Sequence, residues 1–220
     1  SSNPTEENYG KIKATGTKTI RVGGIVGYTK NGTTISAVNQ TPVRFQTNDI
    51  EISGSPVCAG GLVGLAGELS ISNVQVNTQG KIKNKVMTIT CAGDVTAGGL
   101  VGKAESATIS ECWSGTDVEI KDSTTNSNIT FGGIIGEVGS KSTEGAKISI
   151  KDNVSYGRFF IVSDINPTSI SAGGIAGEAI AKDQNSNAIK DNKTLTSLEI
   201  RRHATGAHNV NAVVGKRNSE

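Results

Sequence analysis

With 220 residues and a net charge of +2, from 22 basic and 20 acidic side chains, the chain lacks the charge excess that steers proteins to nucleic acid. It has no run of about 18 apolar residues, so no segment is predicted to span a membrane. The apolar fraction is 35%, and the 28 glycines bring it to an ordinary globular value. This composition predicts a thin core of small and aliphatic side chains.

The chain opens on a polar segment. Residues 1–9, with Pro4, Glu6 and Glu7, are predicted to form a disordered leader. Alternating apolar residues begin at Ile12 and continue to Val22, so the chain enters its repeat pattern in mid-repeat. We therefore expect residues 10–220 to form a single β-solenoid domain that is part of a longer protein, from which a signal or lipid anchor has been removed.

A five-residue motif, Gly-Gly-aliphatic-aliphatic-Gly, begins at residues 23, 60, 98, 132 and 173, and a decayed copy occupies 211–215. Repeats of roughly 20–50 residues are typical of solenoids, propellers and linear arrays. The motif supplies a set of structural glycines: Gly23, Gly24, Gly27, Gly60, Gly61, Gly64, Gly98, Gly99, Gly102, Gly132, Gly133, Gly136, Gly173, Gly174 and Gly177.

Two more segments follow the glycine motif in each repeat. The first centres on Ile and Ser, as in Ile71-Ser72, Ile109-Ser110 and Ile148-Ser149, and the second is an alternating strand, as in 43–46, 118–121 and 159–162. Alternation with period two indicates half-buried strands, and no window has helical spacing. The predicted fold class is all-β, a parallel β-helix (solenoid) with five to six coils of about 37 residues each. Two coils of about 18 residues per repeat is the alternative.

The glycine motif itself is expected to lie along one sheet, with its copies directly above one another. Its glycines would allow positive φ and a close approach of backbones at a corner. Strand alternation predicts that one side chain of the aliphatic pair points into the core and that the other points outward or into a covering loop.

The most regular copies are Gly98–Gly102 followed by Ile109-Ser110-Glu111-Cys112, and Gly60–Gly64 followed by Ile71-Ser72-Asn73. This pattern resembles the GLUG motif, found in arrays in bacterial surface and secreted proteins, among them Bacteroidetes adhesins and regions flanking some IgA-specific metallopeptidases. The resemblance covers about residues 20–215. It implies a right-handed parallel β-helix, exported, in an adhesin or surface array, without catalytic residues. The longer repeats, and the motif cysteine kept only at Cys112, depart from the family pattern.

The strongest candidate for chemistry is the position after each glycine motif, occupied in turn by Tyr28, Leu65, Lys103, Glu137, Glu178 and Lys216. With coils in register, Glu137 and Glu178 would be neighbours at about 5 Å, within the roughly 5–10 Å that hydrolysis by a carboxylate pair needs. The alternative, which the sequence favours, is an exposed ladder of mixed charge in which lysines screen the two glutamates.

Trp113, the only tryptophan, follows Cys112, so alternation places one of the two outside. An exposed Trp113, with Tyr156 and Phe159 nearby, could contact a sugar or a protein; burial under a loop is the alternative. Cys58 and Cys91 each precede a glycine motif and leave one disulfide open, although small buried thiols fit the stack better.

The function expected from these features is that of a non-enzymatic exported repeat domain. It would act in adhesion or partner binding at the cell surface, with a protein or a glycan as ligand, no nucleic acid and no cofactor. The abundance of Thr, Ser, Asn and Gly in short strands favours an extracellular location. The alternatives are a carbohydrate-active β-helix enzyme, either a polysaccharide lyase or a glycoside hydrolase, and a purely structural stalk.

Overall fold

The computed structural model describes residues 11–37, 41–46, 49–77, 86–122, 127–140, 146–162, 167–181, 189–200 and 208–219. The leader predicted at 1–9 lies outside these residues. Within them the chain forms 26 β-strands and no helix, and every strand pairing is parallel. The strands form four sheets, which the chain visits in the order A, B, C, D before it starts the next coil.

Sheets A and B each contain six strands, and they form one half of the solenoid. The strands of sheet A are β1 (Ile12–Gly16), β6 (Ile50–Gly54), β10 (Val86–Cys91), β14 (Asp117–Asp122), β19 (Arg158–Ile161) and β24 (Ser197–Ile200). The strands of sheet B are β2 (Ile20–Gly23), β7 (Val57–Gly60), β11 (Val95–Gly98), β15 (Asn128–Gly132), β20 (Ser169–Gly173) and β25 (His208–Asn211).

Sheets C and D form the other half. The strands of sheet C are β3 (Val26–Thr29), β4 (Thr33–Ser36), β8 (Val63–Ser72), β12 (Val101–Ser110), β16 (Ile135–Gly139), β17 (Ile148–Lys151), β21 (Ala176–Ala181), β22 (Ile189–Lys190) and β26 (Val214–Ser219). The strands of sheet D are β5 (Val43–Phe45), β9 (Val74–Val76), β13 (Trp113–Ser114), β18 (Val154–Ser155) and β23 (Lys193–Thr194).

Each strand pairs with the strand one repeat later, so one repeat makes one coil. In sheet A, Ile12 pairs with Ile50 and Ile50 with Met87, and the same column continues through Val118, Phe159 and Leu198. The predicted β-solenoid with one coil per repeat is confirmed, and the alternative of two short coils per repeat is wrong. Residues in one column are neighbours at about 4.8 Å, the spacing of paired strands.

The interior consists of two apolar clusters. One lies between sheets A and B and includes Ile52, Ile89, Ile120 and Phe159; the other lies between sheets C and D and includes Leu100, Ile109 and Ile134. Between them, the second glycines of four motifs, from Gly61 to Gly174, face hydroxyl side chains. A Cβ added at Gly99 would meet Ser114 Oγ, and one added at Gly133 would meet Ser155 Oγ. The corner between sheets B and C therefore points inward and divides the interior.

This inward corner corrects the prediction that the motif lies along one sheet. The first glycines end the strands of sheet B, and the second aliphatic residues begin those of sheet C. Both aliphatics are buried: Leu100 and Val101 are each 0% exposed. The amides of Leu62 and Val63 both donate to the Leu100 carbonyl, at 2.9 and 3.1 Å. Two consecutive amides that point the same way break the alternation, as at a β-bulge, so both side chains enter the core.

The glycines act through close approach rather than through φ. The described glycines with φ between +20° and +160° are Gly54 and Gly139, neither of which belongs to the motif, so the predicted positive φ is wrong. A Cβ on Gly98 would lie 1.9 Å from the Val101 carbonyl oxygen and 2.7 Å from the Gly136 amide nitrogen. The predicted backbone contact at the corner is confirmed.

The corner between sheets C and D carries a turn residue with positive φ in four successive coils: Asn73, Glu111, Asp152 and Asp191, at 54–57°. The preceding isoleucines are paired as Ile71, Ile109, Ile150 and Ile189. Aligning Ile148-Ser149 with Ile109-Ser110 is therefore wrong by two residues. The residue after the turn is buried in three of these coils, as Val74, Cys112 and Asn153, so the turn fixes the register there.

Candidate functional site

The outer faces of sheets B and C face each other across the inward corner and form a groove, here called the B–C groove. Its sheet B column is Arg21, Cys58, Thr96, Thr130, Ser171 and Asn209, and its sheet C column is Tyr28, Leu65, Lys103, Glu137, Glu178 and Lys216. The Arg21 guanidinium lies 4.9 Å from the centre of the Tyr28 ring, which shows that the two columns are in contact. The candidate residues Glu137 and Glu178 occupy adjacent positions in this groove, as predicted.

Lysines pair with both glutamates. Lys103 Nζ is 2.6 Å from Glu137 Oε1, and Lys216 Nζ is 3.4 Å from Glu178 Oε1. The glutamate side chains are only 14% and 15% exposed. The ladder Lys–Glu–Glu–Lys is thus neutral as a whole. Its mixed charge is as the sequence favoured, but the expected exposure is wrong for the two glutamates.

The surroundings in the groove shift the pKa values of two of its groups, Lys103 and Cys58. Partial burial alone would lower the pKa of Lys103, but the hydrogen bond and charge of Glu137, with Glu178 behind it, raise it above the usual value. Burial raises the pKa of the Cys58 thiol, although the nearby Lys103 opposes this. Lys103 therefore stays an ammonium across the physiological range, and Cys58 stays a thiol.

Chemically, the groove offers a protonated amine, two paired carboxylates and two sheltered hydroxyls. Thr130 and Ser171 are 8% and 5% exposed. A glycosidase needs one carboxyl to protonate the leaving group and a second to attack or to activate water. Here each carboxylate is engaged by a lysine, so a substrate would have to displace a salt bridge to reach it. The arrangement suits a ladder of ion pairs that joins successive coils better than it suits a hydrolytic site.

The second candidate, Trp113, lies on the outer face of sheet D. Its side chain is 44% exposed whereas Cys112 is 0% exposed, so the predicted alternation places the tryptophan outside. Its column runs Arg44, Gln75, Trp113, Val154 and Lys193. Trp113 is thus in the middle of the stack, with an apolar neighbour on one side and an amide on the other.

Leu195 extends the exposed apolar surface beside Trp113, and the half-buried Tyr156 lies in the coil between them. Ser114, Ser155 and Thr194 are paired, so the next residues, Gly115, Tyr156 and Leu195, share a column. The Tyr156 ring lies over Gly115, where an added Cβ would be 2.6 Å from Cε2, and Leu195 is 78% exposed. We call Trp113, Val154, Tyr156 and Leu195 the sheet D patch. Sequence analysis missed Leu195 because its place in the column of Tyr156 is visible only when the coils are aligned.

Phe159 does not belong to this surface, which corrects the prediction that it lies near Trp113 in an exposed patch. It is 0% exposed in the cluster between sheets A and B, and its ring stacks on Phe131 with centroids 3.5 Å apart. The neighbouring Phe160 is the one that points outward, with the Arg158 guanidinium 5.5 Å from its ring centre. Tyr156, Arg158 and Phe160 alternate with buried residues along the chain.

Arg158 lies next to this surface, at the first residue of strand β19 in sheet A. Its Nε and Nη2 donate to Asp117 Oδ2 at 3.1 and 2.8 Å, and its amide donates to Asp117 Oδ1 at 2.8 Å. The Asp117 side chain is 2% exposed. Bidentate pairing of this kind fixes both side chains. Sequence analysis missed this pair because the two residues are 41 positions apart and come together only through the register.

None of the three cysteines forms a disulfide bond. Cys91 points into the core of sheet A and Cys58 faces the B–C groove, so the disulfide left open by the sequence is not formed. Cys112 is completely buried, and burial raises its pKa to about 11. In the part of the chain that the structure describes, no group of three His, Cys, Asp or Glu side chains is placed to hold a metal ion. No described segment forms a helix long and apolar enough to cross a membrane.

Neither a protein-family model, nor a curated protein, nor a solved structure matches this chain. The resemblance to GLUG-motif proteins therefore stays a prediction, carried by the residues quoted for it.

Proposed function

We propose that this chain is a non-enzymatic, exported repeat domain that binds a protein or glycan partner at the cell surface, and that the partner contacts the sheet D patch. The observation that carries the proposal is the 44% exposure of Trp113 in a chain whose other apolar side chains are mostly buried. Aromatic side chains with one wet face are enriched where proteins contact partners, and exposed apolar patches mark such contacts.

The position of the patch supports a binding role. Trp113, Tyr156 and Leu195 lie on three successive coils, so the strand pairing sets their spacing and little order is lost on binding. The bidentate Asp117–Arg158 pair holds the neighbouring corner. A flat face that combines aromatic, aliphatic and guanidinium groups suits the faces of sugar rings, or the apolar centre of a protein interface.

Tryptophan fluorescence tests the proposal directly, because Trp113 is the only tryptophan in the chain. The chain is titrated with a panel of soluble surface glycans and, separately, with extracellular matrix proteins that lack tryptophan. A ligand that covers the indole removes water from it, so the emission shifts to shorter wavelength and saturates. Trp113→Ala is then expected to weaken binding of the same ligand, measured by calorimetry, by about 2 kcal/mol or more, a loss typical of a central aromatic contact.

Tyr28→Ala is the matched control, because Tyr28 is 53% exposed but lies in the B–C groove rather than in the sheet D patch. It should leave the affinity unchanged. Equal losses from the two variants, or a ligand whose affinity does not depend on Trp113, would reject the patch as the contact surface. Circular dichroism checks that both variants keep the fold.

The adjacent glutamates of the B–C groove favour a second candidate, a carbohydrate-active enzyme. Release of reducing ends, or of unsaturated products, from a polysaccharide panel is the measurement. Activity that is lost in both Glu137→Gln and Glu178→Gln, while the fold is retained, would replace the binding role by the enzymatic one.

A further inference from the structure

The outer column of sheet D carries a cation on either side of its aromatic centre. It runs Arg44, Gln75, Trp113, Val154 and Lys193, with one residue on each of five successive coils. Arg44 and Lys193 each lie two coils from Trp113, and both are exposed. Because paired strands are about 4.8 Å apart, the two cations lie about 10 Å on either side of the indole, along a line that runs across the strands.

Neither of these two cations is engaged by an acidic side chain of the part of the chain that the structure describes. Other exposed cations are engaged in this way: Lys11 pairs with Glu51, and Lys121 pairs with Glu119. A guanidinium or an ammonium without such a partner can form a charge-assisted hydrogen bond with an anionic ligand, and no salt bridge has to break first. Arg44 and Lys193 are therefore available to a ligand that lies along the column.

The acidic side chains nearest to this column in sequence lie at the corner between sheets C and D. They are Glu111, Asp152 and Asp191, each two residues before a member of the column. The neighbouring column of sheet C places Lys151 and Lys190 beside them, and Lys190 Nζ is 3.9 Å from Asp191 Oδ2. Lysines of the same corner thus offset most of the acidic charge, and the sheet D column keeps its two cations.

The spacing of the column favours a linear polysaccharide over an extended peptide. Successive coils are about 4.8 Å apart, close to the length of one sugar residue in an extended chain, whereas an extended peptide advances about 3.3–3.4 Å per residue. The three middle strands of sheet D, β9, β13 and β18, each pair with a strand on both sides, so they offer no open edge for β-strand addition. Trp113 and Leu195 supply exposed apolar surface on which the face of a sugar ring can pack.

We propose that the partner of the sheet D patch is a linear acidic polysaccharide that lies across the strands of sheet D. One sugar residue stacks on Trp113, and anionic groups two sugar residues away on either side, carboxylates or sulfates, bind Arg44 and Lys193. The bound segment covers four coil steps, about 19 Å, and therefore about five sugar residues. This inference rests on the binding role proposed above and adds the chemical class of the ligand.

Titration of the Trp113 fluorescence with matched oligosaccharides tests the inference. The first probe is a hyaluronan decasaccharide, which carries carboxylates on alternate sugars, and the second is the same oligosaccharide with its carboxyl groups reduced to alcohols. The wild type should bind the reduced form about tenfold more weakly, because two exposed ion pairs are lost. Its affinity for the acidic form should fall as the ionic strength rises. A chondroitin sulfate decasaccharide is the third probe, and tighter binding to it would identify sulfate as the preferred anion.

Arg44→Gln and Lys193→Gln each remove one cation and leave the indole in place as the reporter. Each should weaken binding of the acidic oligosaccharide about two- to fivefold, and the double variant should weaken it about tenfold. Lys30→Gln is the matched control, because Lys30 is an exposed cation between β3 and β4 of sheet C, and this variant should bind like the wild type. An equal loss in Lys30→Gln would mean that net charge rather than the column binds the ligand, which overturns the inference. Circular dichroism checks that every variant keeps the fold.

The remaining outcomes separate this inference from the proposed function. If the reduced form binds as tightly as hyaluronan and its binding depends on Trp113, the sheet D patch remains the contact surface and the acidic ligand is rejected. The same holds if a protein binds through Trp113 while neither acidic oligosaccharide binds. Binding of the acidic oligosaccharides that Trp113→Ala leaves unchanged would reject the patch itself, and this inference with it.

Discussion

Alanine at Gly98 tests whether the glycine motif is needed for close packing at the inward corner. The new Cβ would lie 1.9 Å from the Val101 carbonyl oxygen, 2.7 Å from the Gly136 amide nitrogen and 2.9 Å from the Val101 carbonyl carbon. All three atoms belong to the backbone, so relief requires moving a strand of sheet C. Overpacking of this kind costs about 1–3 kcal/mol, and more where the backbone cannot shift. For a chain of this size we expect the melting temperature to fall by about 2–4 °C per kcal/mol.

Gly16→Ala is the matched control, because Gly16 also ends a strand but its added Cβ meets only Ile20, at 3.7 Å. A tolerated Gly→Ala change stabilises by about 0.4–1 kcal/mol through the unfolded chain, so this variant should melt at or slightly above the wild-type temperature. Calorimetry at one scan rate and one protein concentration compares the three proteins. If Gly98→Ala has the same melting temperature as Gly16→Ala, close approach of backbones at the corner is not the reason for glycine at position 98.

Three further predictions concern the interior. Phe159→Ala removes a ring that is 0% exposed and stacked on Phe131, and should cost about 3–5 kcal/mol in urea unfolding; a loss below 1 kcal/mol would contradict the stacking. Asn153→Ala leaves the Cys112 amide and the Ile109 carbonyl without their 2.9 and 3.0 Å partners, and should cost about 1–3 kcal/mol; amide exchange at Cys112 should speed up in parallel, and unchanged exchange would count against the bond. Cys112, whose pKa is raised from 9.0 to about 11, stays protonated in the folded chain while it ionises in the unfolded one, so the folded state binds more protons between these pH values. The contribution of Cys112 to the free energy of unfolding should therefore fall by about 1.4 kcal/mol per pH unit from pH 9 to 11. Cys112→Ala should lack this part of the stability loss at alkaline pH, and identical stability profiles of the two proteins against pH would refute the prediction.

The sequence predicted the solenoid because the same pattern of residues recurs in every coil. Three signals carried this prediction: a step of about 38 residues, alternating apolar residues and an absence of helical spacing. Each can be recognised even when the repeats are aligned with an error of a few residues. The adjacency of Glu137 and Glu178 followed from the same step. Alternation predicted only that either Cys112 or Trp113 points outward, and the structure shows that it is Trp113.

What the sequence could not supply was the shape of the corners. The inward bend between sheets B and C places both aliphatics of the motif inside, whereas a straight strand would have turned one outward. The turn at Asp152, with φ of 57°, shifts the register so that Ile150 rather than Ile148 pairs with Ile109. Each depends on backbone geometry that several residue types can adopt, so the letters alone do not reveal it.

The interrupted course of sheet C has a consequence for how this fold can vary. In the third coil the chain crosses the sheet as one strand, Val101–Ser110, whereas in the fourth it crosses as Ile135–Gly139 and then Ile148–Lys151, both paired to that same strand. Extra residues can therefore leave and rejoin the sheet without disturbing the coils on either side. A peptide epitope inserted between two such half-strands would be displayed on a rigid wall, and its length could be chosen without redesigning the protein beneath it.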